Sequence, residues 1–510
     1  MPRLSLKPDA SFFRKIVIGA VGVRAVCDDL VRRGHRMHEL ENGSTDTKIW
    51  KDVKRKRVRI PDLVCIDCGL RVESRAKTTP ALSMSHSYTD AELAWDYGMV
   101  DADVIAFPIC KPADETSWSS GKLRSQESYW HSRERIRWEV EGCINYFRVG
   151  DFRKVAHTRS STKGVTEGSE TSISWKAIFS TRRGVVEAIT GERITIRRES
   201  DGHVYTWRNL QGLPVMVEEG STVEKNQVIA SFVQPLYDDA LQCPRSLSFD
   251  RMQFLLKSPE RTQRFTGIKL ARLRSIPQFA DLVLEVISHP EEDIYVKLEG
   301  AVYLSRVCGE SAQDLFGPYL KASDGQIRLE AVVALAETAT PEAVEILAAI
   351  LDQNGAPFYL RSAAAWALGR ISTDRAVERL VQAFSDIDQN IREEALEAVA
   401  ELGDRALQHL IAGVLDDDDD IAAGAAEAIR RQALVPPDVV QKIIGEVREV
   451  PDRVWPVWLL GHLNGREYIA AAVAELQGSR PEAHYAITVL WAFAESWIAQ
   501  NWELRPEPSR

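Results

Sequence analysis

The stretch PDLVCIDCGLRVESRAK, residues 61–77, decides how the amino-terminal part of this chain is read. Leu63 to Ile66 make an apolar strand entered through Pro61-Asp62. Asp67-Cys68-Gly69 makes a tight turn, and Leu70 to Lys77 returns as a second strand. Side chains on a strand alternate between faces, so Arg71, Glu73, Arg75 and Lys77 share one face and Val72, Ser74 and Ala76 the other, apolar one. Two acids, Asp62 and Glu73, and a cation then meet across one hairpin. That set suits metal-dependent phosphodiester hydrolysis: carboxylates hold Mg²⁺ (or Mn²⁺), the ion activates water, and a cation offsets the phosphate charge.

Outward from this hairpin, a helix is expected over residues 11–34, with Ser11 as N-cap and Gly34 as stop, and a short strand over 36–40. Further strands are expected over 57–66 and 70–77, a helix over YTDAELAWDYG (residues 88–98), and a buried strand over 103–109. The order is α-β-β-β-α-β. With that order and this motif, residues 11–110 resemble the PD-(D/E)XK nuclease superfamily. The resemblance implies a restriction-endonuclease-like α/β domain over residues 1–165 in which Asp62 and Glu73 are the Mg²⁺ ligands. It places the family's lysine two residues after the second acid, where this chain has Arg75. An arginine binds phosphate but stays protonated, so it cannot act as a base. Lys77 lies on the same face one step further and can take the lysine's part.

The run Lys54, Arg55, Lys56, Arg57, Val58, Arg59 leads into the Asp62 strand and suits a nucleic-acid backbone, with a solvated loop as the alternative. WHSRERIRW (130–138) offers aromatics and arginines on an expected helix. Glu39 and Glu41 are candidates for a third carboxylate and His86 for an assisting group, although a lone histidine more often packs or caps. Cys65 and Cys68 look like one half of a zinc site. A closed site needs four ligands, and Cys110, Cys143, His35, His38 or His86 can complete it only through folding. The competing reading is a tight turn with two small thiols. A redox pair is disfavoured because this CxxC straddles a turn instead of opening a helix.

Residues 175–240 read as a small all-β module, with a hairpin turn at Asp201-Gly202. VEEGSTVEKNQVIA (217–230) resembles the barrel-sandwich hybrid modules of biotinyl domains and large RNA polymerase subunits. It lacks their attachment lysine between methionines, so no swinging cofactor is expected. Residues 250–510 are helical and repetitive. Starts at Phe265, Val296, Ile327, Leu360, Ile391 and Ile421 recur every 30 to 33 residues, each opening an Ala-rich helix, a break and a second apolar helix. The pattern resembles short HEAT repeats of the phycobilisome-lyase type and predicts an α-solenoid. Lys297, Arg328, Arg361 and Arg392 recur at the second position and are expected to pair between repeats with acids such as Glu299, Glu330 and Glu394. Asp416 to Asp420 read as a solvated loop between repeats, lacking the spaced ligands of a Ca²⁺ loop.

Composition sets the outer bounds. With 45% hydrophobic and 27% charged residues in 510, the chain has the make-up of roughly three globular domains. No apolar run reaches the ~18 residues of a membrane span, and the start MPRLSLKPDASFF is not a signal sequence. Seven cysteines, an odd number, argue for reduced thiols and a cytoplasmic setting. The net charge of −10 divides unevenly: residues 1–183 hold 32 Lys+Arg against 24 Asp+Glu, and the remainder 32 against 50. A basic first third suits a polyanion and the acidic remainder repels one.

The leading expectation is therefore a Mg²⁺-dependent endonuclease acting on nucleic acid, DNA in the first instance, with a solenoid for a protein partner. Architecture by analogy suggests restriction or antiviral defence. The alternative is a HEAT-repeat scaffold whose nuclease-like domain binds nucleic acid without cutting. A third reading, the solenoid itself as nucleic-acid binder, is opposed by its charge. Oligomeric state stays open, a homodimer being compatible with the fold.

Overall fold

The computed structural model describes residues 10–40, 60–113, 137–157, 159–165, 168–208, 210–431 and, near the C-terminus, 455–456 and 458–459. The chain divides into two compact units, Met1–Val296 and Lys297–Arg510. No helix among the described residues is long and apolar enough to cross a membrane.

In the first unit, α1 (Ala10–Arg32) ends just before Gly34, whose φ of +84° is the left-handed stop that glycine adopts without strain. Six strands follow in chain order: β1 (Met37–Glu39), β2 (Leu63–Cys65), β3 (Arg71–Ser74), β4 (Val104–Phe107), β5 (Asn145–Arg148) and β6 (Pro235–Leu236). They form one six-stranded sheet in that same order. β3 and β4 run parallel and every other neighbouring pair is antiparallel. α1 covers one face, burying Val26 and Leu30 against Leu63, Val72, Val104, Ala106 and Tyr146. A Cβ on Gly22 would sit 2.6 Å from the Ala76 Cβ, so glycine there lets helix and strand close to backbone contact. The opposite face carries Ile105, Phe107 and Phe147 in an aromatic core with Trp95, Phe152 and Trp175.

The parallel β3–β4 connection requires a long crossover, and here the expectation of a helix over 88–98 fails. The segment holds only a 3₁₀ turn, Ala91–Leu93, started by Asp90 and ended at Ala94, which is extended at ψ 147°. Trp95 turns inward instead, its ring 5.3 Å from that of Trp175; burying that ring in the aromatic core outweighs the short run's helix propensity. Trp138, expected on a helix, begins the strand Trp138–Val140; residues 130–136 lie outside the described residues.

The β-rich segment belongs to the same compact unit. Its strands Gly184–Thr190, Arg193–Arg198, Val204–Arg208 and Thr222–Val223 make a four-stranded antiparallel sheet over Val186, Ile194, Ile196, Leu213 and Ile229. Gly202, at φ +69°, turns the expected hairpin. The side-chain amide of Asn145 fastens this segment to the first sheet, donating to Asn226 O and accepting from Val228 N, both at 2.8 Å.

In the same unit, α2 (Arg261–Leu273) supplies the groups that receive Arg71. The Arg71 side chain is 2% exposed. Its Nε donates to Asp103 Oδ1 at 2.9 Å and its Nη2 to Asp103 Oδ2. Nη1 reaches Thr262 O and Thr266 Oγ1, each at 3.3 Å. Arg71 was read as one of a polar row with Glu73, but burial turns it into a tie between strand and helix.

The second unit contains α3 (Ala312–Leu320), α4 (Gly325–Leu335), α5 (Pro341–Leu351), α6 (Phe358–Ile371), α7 (Asp374–Gln382), α8 (Gln389–Ala400), α9 (Leu407–Val414) and α10 (Asp419–Arg431). The repeat is written in its caps. Asp324, Asp388 and Asp418 each accept the N–H two residues on, at 2.8–2.9 Å, and each stands three residues before a repeat start, Ile327, Ile391 or Ile421. The second helices α3, α5 and α7 are capped by Ser311, Thr340 and Thr373. Small residues let helices close up: a Cβ on Gly369 would stand 3.1 Å from that of Ala398.

The second-position arginines grip loops as well as acids. Arg361 donates to Leu351 O at 2.7 Å and pairs with Asp386. Arg392 takes Asp386 O at 2.6 Å and Arg328 takes Ser323 O at 3.0 Å. The partners expected from the sequence were acids of neighbouring repeats, such as Glu299, Glu330 and Glu394. The planar guanidinium instead reaches back to carbonyls left open at helix ends.

Candidate functional site

The β2–β3 hairpin carries two clusters, one at its open end and one at its turn. At the open end, the register Leu63↔Val72, continued one step, sets Asp62 opposite Glu73. Cross-strand partners share a face, so the register puts positions 62 and 73 on the same side of the hairpin. The Asp62 carboxylate accepts the Ser74 amide at 2.7 Å. Glu73 pairs with Arg75 at 3.0 Å, both side chains being largely buried. Arg75 Nε and Nη2 make no well-formed hydrogen bond, so this guanidinium is held by charge. The offset between Glu73↔Ile105 and Lys77↔Ile109 is constant. No residue is inserted, and Lys77 stays on the Glu73 face, half-buried.

Two carboxylates are a sufficient protein donor set for Mg²⁺, which keeps several waters and takes substrate phosphate as further ligands. Glu73 fits that role only when it gives up Arg75. The third-carboxylate candidates do not add to the pair among the described residues: Glu39 lies on β1 and is exposed, and Glu41 falls outside them. So does the basic run Lys54, Arg55, Lys56, Arg57, Arg59. His86 Nδ1 accepts the Trp95 amide at 3.4 Å.

At the turn, Cys65 and Cys68 meet His35 and Cys243, all four ligand atoms lying within 4.8 Å of one another. Cys65 Sγ stands 3.8 Å from Cys243 Sγ, and Cys68 Sγ 3.6 Å from His35 Nδ1. Gly69, at φ +75°, closes the turn. The hydrogen bond from Cys68 draws Cys65 well below the usual thiol range, with help from His35 and the Asp67 and Cys68 amides, and the same bond pushes Cys68 up. Of the companions considered for this pair, His35 is the one the fold delivers. Cys110 is buried under α1, its thiol 3.7 Å from Ile18 O, and burial pushes Cys143 up to about 12. Cys243 escaped the sequence reading, since nothing in spacing joins it to a CxxC so far upstream. Its one signal was being a thiol left over between domains.

Among known families, the HEAT repeats model matches residues 353–430 and the PBS lyase HEAT-like repeat model residues 327–353, so residues 327–430 are similar to HEAT repeats. No curated protein sequence matches the chain. Solved structures similar to it include YibA of E. coli, at 15% identity and TM-score 0.25, covering 49% of this chain and 93% of that one. Human deoxyhypusine hydroxylase in complex with glycerol aligns at 17% identity and TM-score 0.20, covering 48% and 94%. A designed armadillo repeat protein in complex with the peptide (KR)4 aligns at 17% and 0.20, covering 48% and 100%. At these TM-scores the likenesses fix neither function nor partner.

Proposed function

We propose that this chain is a HEAT-repeat scaffold that docks a protein partner on its repeats, and that its amino-terminal unit engages nucleic acid without cutting it. The carrying observation is the Glu73–Arg75 ion pair at 3.0 Å. It neutralises the second metal-binding acid with a cation that cannot serve as a base. The arrangement favours holding a phosphate beside the hairpin over activating water.

The second reading, a Mg²⁺- or Mn²⁺-dependent endonuclease, draws on a different observation, the apposition of Asp62 and Glu73 across β2 and β3. In it those two side chains hold the ion, which supplies an activated water, and Arg75 or Lys77 steadies the phosphate. A role in antiviral defence belongs to this second reading.

Labelled single- and double-stranded DNA and RNA, titrated with the full chain over a range of salt, separate the two. Alongside, plasmid cleavage is assayed with Mg²⁺ or Mn²⁺ for the wild type, Asp62→Ala, Glu73→Ala and Arg75→Lys. Salt-dependent binding with no cutting is expected. Metal-dependent cutting abolished by either acid substitution replaces the proposal with the nuclease. Absence of binding to every probe removes nucleic acid from it and leaves the protein scaffold.

A further inference from the structure

We infer that His35, Cys65, Cys68 and Cys243 form a structural Zn²⁺ site that clamps three separate segments of the amino-terminal unit. The donor set is Cys₃His, four protein ligands with no position left for water, which is the composition of a closed structural site. Nothing in this assignment depends on whether the unit binds or cuts nucleic acid.

Distances carry the argument. Zinc holds thiolate at about 2.3 Å and imidazole nitrogen at about 2.0–2.1 Å in a tetrahedron. Its edges are then about 3.8 Å between two sulfurs and about 3.6 Å between sulfur and nitrogen. Cys65 Sγ to Cys243 Sγ is 3.8 Å and Cys68 Sγ to His35 Nδ1 is 3.6 Å. No remaining pair exceeds 4.8 Å, a gap that rotation of a cysteine side chain takes up. A disulfide needs about 2.05 Å between sulfurs, and all seven cysteines are free thiols.

The surroundings fit the same ion. His35 Nε2 lies 2.9 Å from Leu241 O. A carbonyl only accepts, so Nε2 carries a proton, and Nδ1 is the nitrogen that faces the sulfurs. Histidine ligands of zinc are held in this way, with the distal N–H given to a carbonyl or carboxylate. Backbone amides point at the sulfurs too: those of Asp67 and Cys68 at Cys65, that of Leu70 at Cys68, and that of Arg245 at Cys243. Such donors stabilise thiolates, the form that binds metal. The three segments meet through backbone bonds of their own. Ile66 N donates to Arg36 O at 2.8 Å, Cys243 N to Arg33 O at 3.3 Å and Leu247 N to Asp67 O at 3.0 Å. The ligands are therefore placed by the fold before any ion arrives.

The full chain, expressed in zinc-supplemented medium and purified without a metal-affinity tag, is assayed for metal by mass spectrometry after an EDTA wash. About one zinc per chain is expected, released when a mercurial blocks the thiols. His35→Ala and Cys243→Ser should retain at most about a tenth of it, and His35→Cys should restore it. Cys308→Ser, which alters a thiol outside the cluster, should keep it all. Should the cluster variants fail to fold, wild type titrated with Co²⁺ decides the matter, because a tetrahedral thiolate site gives intense visible bands that EDTA does not quickly erase. A wild type that holds no zinc and gives no such bands overturns the assignment. So does a Cys65–Cys243 disulfide in freshly purified protein, or zinc retained equally by every variant.

Discussion

Replacing Arg71 with Met tests whether the Arg71–Asp103 pair ties sheet to helix. The substitution removes a guanidinium that makes two bonds to Asp103 and reaches the backbone and side chain of α2. Asp103, 4% exposed, is left with the Val100 amide at 2.7 Å as its remaining donor. Breaking a buried pair from one side costs about 3–5 kcal/mol, because the surviving charge is uncompensated. At about 1.4 kcal/mol per decade, amide exchange through opening of β3, β4 and α2 should speed up by about two to three and a half decades. Hydrogen exchange read by mass spectrometry on peptides from 70–76, 100–107 and 261–273 measures it without assuming that the whole chain unfolds in one step. Adding Asp103→Asn removes the stranded charge while leaving an acceptor for Val100, and should recover about 2 kcal/mol. Equal exchange in the single and double variants would refute the argument, since the cost would then come from lost packing of the long side chain.

Three further outcomes are expected. Gly22→Ala drives a methyl to within 2.6 Å of Ala76 and 3.1 Å of Pro108; it should destabilise the α1–sheet contact by about 1–3 kcal/mol, seen as faster exchange in 18–30 and 72–76. Glu342 accepts the amides of Ala312 at 2.7 Å and Gln313 at 3.2 Å, capping α3 from the start of α5. Burial alone would raise its carboxyl, but the Ala312 amide, the Ser311 hydroxyl and the Gln313 amide outweigh it and hold the group below its ordinary value. Its stabilisation is therefore complete above the ordinary carboxylate pKa and lost as pH falls through the lowered folded value. In urea unfolding followed by far-UV CD, Glu342→Gln should be less stable than wild type by about 1 kcal/mol at neutral pH, with the two converging in acid. Stripping zinc with a mercurial and then a chelator should loosen amides 65–70 and 241–247 while leaving 325–335 unchanged; uniform loosening would mean that the reagent, not metal loss, is responsible.

The repeats were legible through local signals: an Asp cap three residues before the apolar starts Ile327, Ile391 and Ile421, and alanines where helices meet. α1 and the hairpin were legible for the same reason, through the Gly34 stop and the alternation from Arg71 to Lys77. The register that sets position 62 opposite position 73 followed from the hairpin, a short-range property. The crossover between β3 and β4 was misread because Trp95 answers to Phe152 and Trp175, residues far along the chain that no local pattern announces. Half of the metal cluster was visible as CxxC and half was not. His35 was one of several candidates, and Cys243 joins only because β6 returns to the sheet edge and carries the chain past the turn of α1.

The aspartate caps have a consequence for how such an array changes length. Asp388 and Asp418 stand thirty positions apart and each closes the helix that follows it, Asp388 through Asn390 and Asp418 through Asp420 and Ile421. The instruction to begin a repeat thus travels inside the repeat. An in-frame duplication or excision of one period carries its own start signal along, so copy number is free to drift while each helix pair stays specified. Glu342 is the exception: it caps a helix of the preceding copy, so a cut between residues 313 and 342 leaves two amides without their acceptor.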